Sequence, residues 1–151
     1  MRILLVEDDP VLALLAAATL ADEHEVIGPA YDASHALLLA AQYKADVAFV
    51  DINLNGHDEG IALARRLRAQ HGLASLFVSG QVVAAHAHCD AAMGLLRKPY
   101  APDDLNRCAE IAQAILDGQA LSTLHPPGSL EIFSTALQRL PSDEADDETA
   151  K

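Results

Sequence analysis

The sequence predicts an α/β domain built on a parallel sheet with helices on both faces. Three observations lead there. Ile3-Leu4-Leu5-Val6, Val47-Ala48-Phe49-Val50, Leu76-Phe77-Val78 and Leu95-Leu96 are continuous apolar runs, the pattern of strands buried on both faces. Helical patterns alternate with these runs, and such alternation closes a parallel sheet through right-handed crossovers. Each run also stops on a polar group: Glu7-Asp8, Asp51, Ser79 and Arg97-Lys98. In a parallel sheet those ends share one edge, where open α/β sheets bind ligands.

The first strand spans residues 2–6. Asp9-Pro10 then starts a helix, with Asp9 as cap and Pro10 at a position that needs no N–H. This helix runs to about Asp22, with Val11, Leu14, Leu15 and Ala18 expected against the sheet. Leu12, Ala16 and Leu20 form a second apolar stripe, read either as plain helix composition or as a partner-docking face. Glu25-Val26-Ile27-Gly28 is less apolar and is expected at the sheet edge. Asp32 or Ser34 opens the second helix, with Ala36, Leu37, Leu39 and Ala40 inside. The strand 46–50 leads into a polar loop, 53–58, and a third helix over about 59–70. That helix turns Ile61, Ala64 and Leu67 inward and Arg65, Arg66 and Arg68 outward, and His71-Gly72 closes it. A strand at 75–78, a weakly patterned helix over 82–92 and a strand at 95–97 follow. Pro99 and Pro102 bracket the next loop. The fifth helix presents Leu105, Cys108, Ala112, Ile115 and Leu116, and Gly118 ends it. Residues 119–129 read as a connector and 130–141 as a short amphipathic helix with Ile132, Phe133, Ala136, Leu137 and Leu140 on one side. The acidic stretch 142–151 reads as disordered.

The chain has 151 residues, enough for one ordinary domain, and 51% of them are apolar. A net charge of −12 argues against binding nucleic acid or an anionic membrane surface, since phosphates need clustered Lys and Arg. No apolar run approaches the roughly 20 residues of a membrane-spanning helix. Met1-Arg2-Ile3 enters a strand at once, which leaves no room for a signal peptide. Cys89 and Cys108 lack framework spacing, so two reduced thiols in the cytoplasm are expected. His86, His88 and Cys89 read as a solvated face, because residues two apart do not share a helix face.

Carboxylates gathered at one edge repel each other, and a hard divalent cation is the natural offset. Mg2+ prefers few carboxylates, several waters and a phosphate. Asp8 and Asp51 suit direct ligation, with Glu7 through water and a backbone carbonyl near Asn53. A carboxylate can also attack phosphorus to form an aspartyl phosphate. Lys98 would then hold one phosphate oxygen and the Ser79 hydroxyl another.

These residues resemble the receiver domain of two-component response regulators over about residues 1–118. The pattern is Glu7-Asp8, Asp51, Ser79 and Lys98-Pro99, in order, each ending a strand. The resemblance implies a flavodoxin-like (βα)5 fold with strand order 2-1-3-4-5, here with a C-terminal extension. It implies Asp51 as phosphoacceptor, Glu7 and Asp8 as the Mg2+ pair, the Asn53 carbonyl as a further metal ligand, Ser79 as switch hydroxyl and Lys98 as phosphate-binding lysine. The implied partners are a histidine kinase or histidine phosphotransfer protein and a downstream protein. Separately, the helix expected over 130–140 is read as packing on its own domain or in a homodimer contact, because Phe133 and its aliphatic neighbours are costly to leave in water. Phe77-Val78-Ser79-Gly80 also resembles the Phe-Ala-Thr-Gly motif of a stand-alone subgroup. Two features depart from the family. Leu95 stands where an aromatic switch residue is usual, and the stretch from Ser79 to Lys98 is about three residues short, which implies a short or distorted fourth helix.

The expected function is a cytoplasmic, Mg2+-dependent receiver that signals by protein contact after phosphorylation of Asp51. The alternatives are a phosphate sink or relay member, and an interaction module that keeps the fold without phosphorylation. A turnover enzyme is not expected, because no separate base is present to hydrolyse an acyl phosphate.

Overall fold

The computed structural model describes residues 1–120 and 124–133. The elements are β1 (Arg2–Val6), α1 (Pro10–Ala21), β2 (Glu25–Ala30), α2 (Ala33–Gln42), β3 (Val47–Val50), α3 (Glu59–His71), β4 (Ser75–Ser79), α4 (Val82–Ala87), β5 (Gly94–Arg97), α5 (Pro102–Leu116) and β6 (Leu130–Ile132). The sheet order is β2-β1-β3-β4-β5-β6, with the first five strands parallel. β2 lies at the edge, as its lower hydrophobicity implies. The expected (βα)5 arrangement is present, and a sixth, antiparallel strand extends it.

Side-chain alternation along the strands divides the core into two layers. Ile3, Leu5, Phe49, Leu76, Val78 and Leu96 pack against α1 and α5. Leu4, Val6, Ala48 and Val50 pack on the other face, against α2 and α3. Phe77 and Leu95 also point to that second face, in a cluster with Ile61, Ala64 and Ala85. The continuous apolar runs follow from this, since neither face of the central strands meets water.

Local signals act as the sequence implies. The Asp9 carboxylate accepts from the backbone N–H groups of Val11 and Leu12 and caps α1. The Asp32 carboxylate accepts from that of His35 and caps α2. Ile61, Ala64 and Leu67 are buried on α3, with Arg65 and Arg66 exposed. On α5, Leu105, Cys108 and Ala112 are buried, while Leu116 is not.

Three expectations need correction. On α1 the face is wrong: Val11, Leu14 and Leu15 are exposed, and Ala13, Ala16 and Leu20 are the buried residues. A helix apolar on every side offers no period by which to choose its inner face. The expected helix over 82–92 stops at Ala87. Beyond it, Arg65 on α3 bonds the Asp90 carboxylate and Arg68 donates to the Asp90 carbonyl, which holds this stretch in a turn. The segment expected to form a helix from residue 130 begins instead as a strand, β6. Leu130 and Ile132 pack with the α1/α5 layer and Phe133 with the opposite cluster, an alternation with period two rather than 3.6. The remainder of that segment and the acidic stretch 142–151 lie outside the described residues. Among those described, no helix is long and apolar enough to cross a membrane.

Cys108 is 1% exposed, and burial pushes its thiol up to about 12. Iodoacetamide on the native protein should therefore modify Cys89 and leave Cys108 intact until denaturant is added, as mass spectrometry would read. Prompt labelling of native Cys108 would mean that α5 is not seated on the sheet.

Candidate functional site

The carboxyl ends of β1, β3, β4 and β5 meet at one edge because adjacent parallel strands stay in register. Val6 lies beside Val50, Val50 beside Phe77, and Ser79 beside Arg97. The residues after those positions, Glu7, Asp8, Asp51 and Lys98, are thereby brought together. Oxygen atoms of Glu7, Asp8 and Asp51 all lie within 4.8 Å of one another. Glu7 and Asp51 are buried, at 5% and 8% exposure.

Lys98 bridges this group. Its Nζ donates to Glu7 Oε1 at 2.5 Å and to Asp51 Oδ2 at 2.9 Å. Burial alone would lower the lysine pKa, but its bonds to Glu7 and Asp51 outweigh that and hold it above the ordinary value. Glu7 moves the other way from a typical paired acid. Burial first, then its contact with Asp51, push its carboxyl up to about 7 despite Lys98. One ammonium shared by two buried carboxylates leaves the cluster short of positive charge.

Ser79 is buried at the end of β4. Its hydroxyl accepts from the Gln81 N–H at 3.1 Å, and its carbonyl accepts from the Lys98 N–H at 3.1 Å. The serine is thus tied through the backbone to the lysine, while its hydroxyl is engaged within its own loop. Asn53 follows Asp51 closely, and its N–H donates to Asp51 Oδ1 at 3.2 Å. Asn55 donates to Asp8, which draws the polar loop over the acid pair.

The donor set fits a hard divalent cation. Glu7 Oε2 is buried and accepts no hydrogen bond, as does the Asn53 side-chain oxygen. An unpaired buried oxygen is costly unless something outside the protein completes it. The three carboxylates are the chemistry Mg2+ selects, and among the described residues they are the acidic group with this geometry.

The model of the response regulator receiver domain matches residues 3–110. The chain belongs to the response regulator receiver family. A receiver domain of a modulated diguanylate cyclase from Desulfovibrio desulfuricans superposes with a TM-score of 0.69 at 29% identity, covering 77% of this chain and 95% of that one. NtrX from Brucella abortus, solved in complex with ADP, superposes at 0.71 with 31% identity. That match covers 77% of this receiver and 27% of NtrX. A protein-glutamate methylesterase/protein-glutamine glutaminase 2 from Methanospirillum hungatei is 31% identical over 125 residues, 76% of this chain and 35% of its own length. The receiver therefore spans about a third of that relative and about a quarter of NtrX.

Two features of the site have no counterpart in the sequence reading. Tyr100, just past the cis Lys98–Pro99 peptide, lines a small cavity together with Glu7 and Asp51. Gly60 opens α3 directly against Asp51. A Cβ there would overlap the Asp51 carbonyl oxygen and the Ile52 Cα. Neither contact leaves a motif, since each depends on how loops close over a strand end.

Proposed function

We propose that this receiver accepts a phosphoryl group on the Asp51 carboxylate, from a phosphohistidine of a histidine kinase or phosphotransfer protein, and signals through protein contact. The observation that carries this reading is Asp51, nearly buried, with the Lys98 ammonium on one oxygen and two further carboxylates beside it. An Asp51 oxygen attacks phosphorus, an O–P bond forms, the P–N bond to imidazole breaks, and that ring nitrogen leaves with the electron pair and takes up a proton. Lys98 exchanges one carboxylate oxygen for a phosphoryl oxygen and keeps the new charge compensated. The Ser79 hydroxyl, released from Gln81, binds another oxygen. Glu7, Asp8, Asp51 and the Asn53 carbonyl would hold Mg2+, which supplies electrostatic stabilisation of the transferring group.

The donor has a surface to sit on. An apolar groove of about 390 Å3 runs between α1 and the start of α5, lined by Leu12, Leu15, Ala16, Tyr100 and Leu105, and reaches Lys98. Val11 and Leu14 are further exposed apolar residues on α1, at 66% and 70% exposure. A partner helix seated there would present a phosphohistidine to the sheet edge.

Incubation with Mg2+ and acetyl phosphate should add one phosphoryl group by mass, and Asp51→Asn should abolish the gain. A wild-type chain that gains no mass from acetyl phosphate or from any phosphohistidine donor would refute the assignment.

A further inference from the structure

We infer that the strap formed by residues 127–133 is a phosphorylation-sensed latch: it is docked when Asp51 is free and loosened when Asp51 carries phosphate. This rests on Asp51 being the phosphoacceptor, and adds where the change goes.

The strap is held by β5, which ends at the site, and by α4 and α5, which start shortly after Ser79 and Lys98. β6 pairs antiparallel with β5, Leu96 opposite Leu130 and Gly94 opposite Ile132. The Arg97 N–H donates to the Ser129 carbonyl and the Arg97 guanidinium to the Gly128 carbonyl. Arg97 directly precedes Lys98. The Ser129 hydroxyl bonds the Asp104 carboxylate at the start of α5. From the other side, His86 of α4 meets the Glu131 carboxylate at 2.6 Å. Phe133, 4% exposed, is buried in one cluster with Ala85 of α4, Phe77 and Leu95, and the His86 ring meets it edge-on. α4 is only six residues long and starts three residues after Ser79. The strap thus grips the two loops that the phosphate must move.

The sequence also makes room for it. A Cβ on Gly94 would overlap the Glu131 carbonyl oxygen. The closest approach, to strap backbone, needs glycine on β5, while the Leu76 side chain is met only at 3.3 Å.

The direction follows from the bonds. With Asp51 free, the Ser79 hydroxyl accepts from Gln81, and α4 stands where His86 reaches Glu131. A phosphoryl group recruits that hydroxyl and Lys98, drawing the 79–82 turn towards Asp51 and α4 with it. His86 and Ala85 then withdraw from Glu131 and Phe133. A three-residue strand has few bonds of its own to resist this.

The test uses the full chain with beryllofluoride and Mg2+ as a non-covalent phosphoryl analogue. On adding the analogue, the amides of Arg97 and Phe133, which bond across β5 and β6, should exchange their hydrogens at least about tenfold faster. By reciprocity, loosening the strap should raise affinity for the analogue by the same factor. Gly94→Ala, which displaces the strand, and Phe133→Ala, which removes its anchor, should each bind the analogue more tightly than wild type. The exchange measurement needs no variant, and the two variants act by different routes, so failure of one to fold leaves the test intact. Analogue binding that depends on Asp51 but leaves strap exchange unchanged or slower, or leaves both variants at wild-type affinity, overturns the latch alone. No analogue binding together with no mass gain from acetyl phosphate overturns the phosphoacceptor reading, and the latch with it.

Discussion

Lys98→Ala should melt about 10 °C below wild type at pH 8 in metal-free buffer. The substitution leaves Glu7 and Asp51, both buried, without the ammonium that bridges them at 2.5 and 2.9 Å. Removing one partner of a buried ion pair costs about 3–5 kcal/mol, and the lower end applies here because the Lys98 side chain is 22% exposed. The deficit should depend on pH in a direction set by Glu7. Its carboxyl stands at about 7 in the folded protein against an ordinary 4.5, so the folded state holds a proton that the unfolded chain releases. That contribution is complete below about 4.5 and is lost as pH rises through about 7. Without Lys98, which now pulls the value down, the loss extends to higher pH. The gap between variant and wild type should therefore be small at pH 5 and widen towards pH 8. Millimolar Mg2+ should narrow it, since a divalent cation supplies the missing charge. Equal melting temperatures at pH 8 would show that Lys98 does not hold the carboxylates together. The variant should also lose affinity for a phosphoryl analogue, because the remaining charges at the site are negative.

Gly60→Ala should destabilise the fold by about 3 kcal/mol, the upper end for overpacking. The added methyl group meets backbone, the Asp51 carbonyl and the Ile52 Cα, and not a side chain that can rotate away. The Gly60 N–H also donates to the Ile52 carbonyl at 2.9 Å, so α3 cannot back off without losing that bond. Whatever gives way moves Asp51 relative to Lys98, so phosphorylation by acetyl phosphate should slow along with the loss of stability. Gly80→Ala is the comparison: its Cβ would meet nothing within 4 Å, and stability should change by less than about 0.5 kcal/mol. If chemical denaturation gives the two variants equal midpoints, the close approach of α3 to Asp51 is not structurally required.

The meeting of Glu7, Asp51 and Lys98 at one sheet edge was legible in the sequence because they obey a rule that a single chain displays. A strand buried on both faces can place an ionisable group only at its end. Glu7, Asp51 and Lys98 occupy such ends, and parallel register then collects them. The bond between Lys98 and Glu7, 91 positions apart, left no local mark. Where the sequence misled, the period was missing or misread. α1 has Val11, Leu12, Leu14 and Leu15 on one side and Ala13, Ala16 and Leu20 on the other, so hydrophobicity alone could not choose between them. Leu130-Glu131-Ile132 alternates apolar and polar, a strand signal too short to outweigh the helical spacing from Ile132 onward. That α4 is short was legible in the few residues between Ser79 and Lys98, whereas its end at Ala87, beyond which Arg65 and Arg68 reach across from α3 to Asp90, had no pattern within residues 82–92.

β6 has a consequence for the solubility of the molecule. The outer rim of β5 is a row of backbone donors and acceptors beside the apolar cluster of Phe77, Leu95 and Ala85. Left bare, such a rim is a template on which another chain can add a strand. Three residues and one phenylalanine close it, and replace it with a shorter border that shows the Glu131 charge. A chain cut at the end of α5 would keep Glu7, Asp8, Asp51, Ser79 and Lys98 and lose this guard, so aggregation of the shortened protein would reflect the uncovered rim and not a defect in the carboxylate cluster.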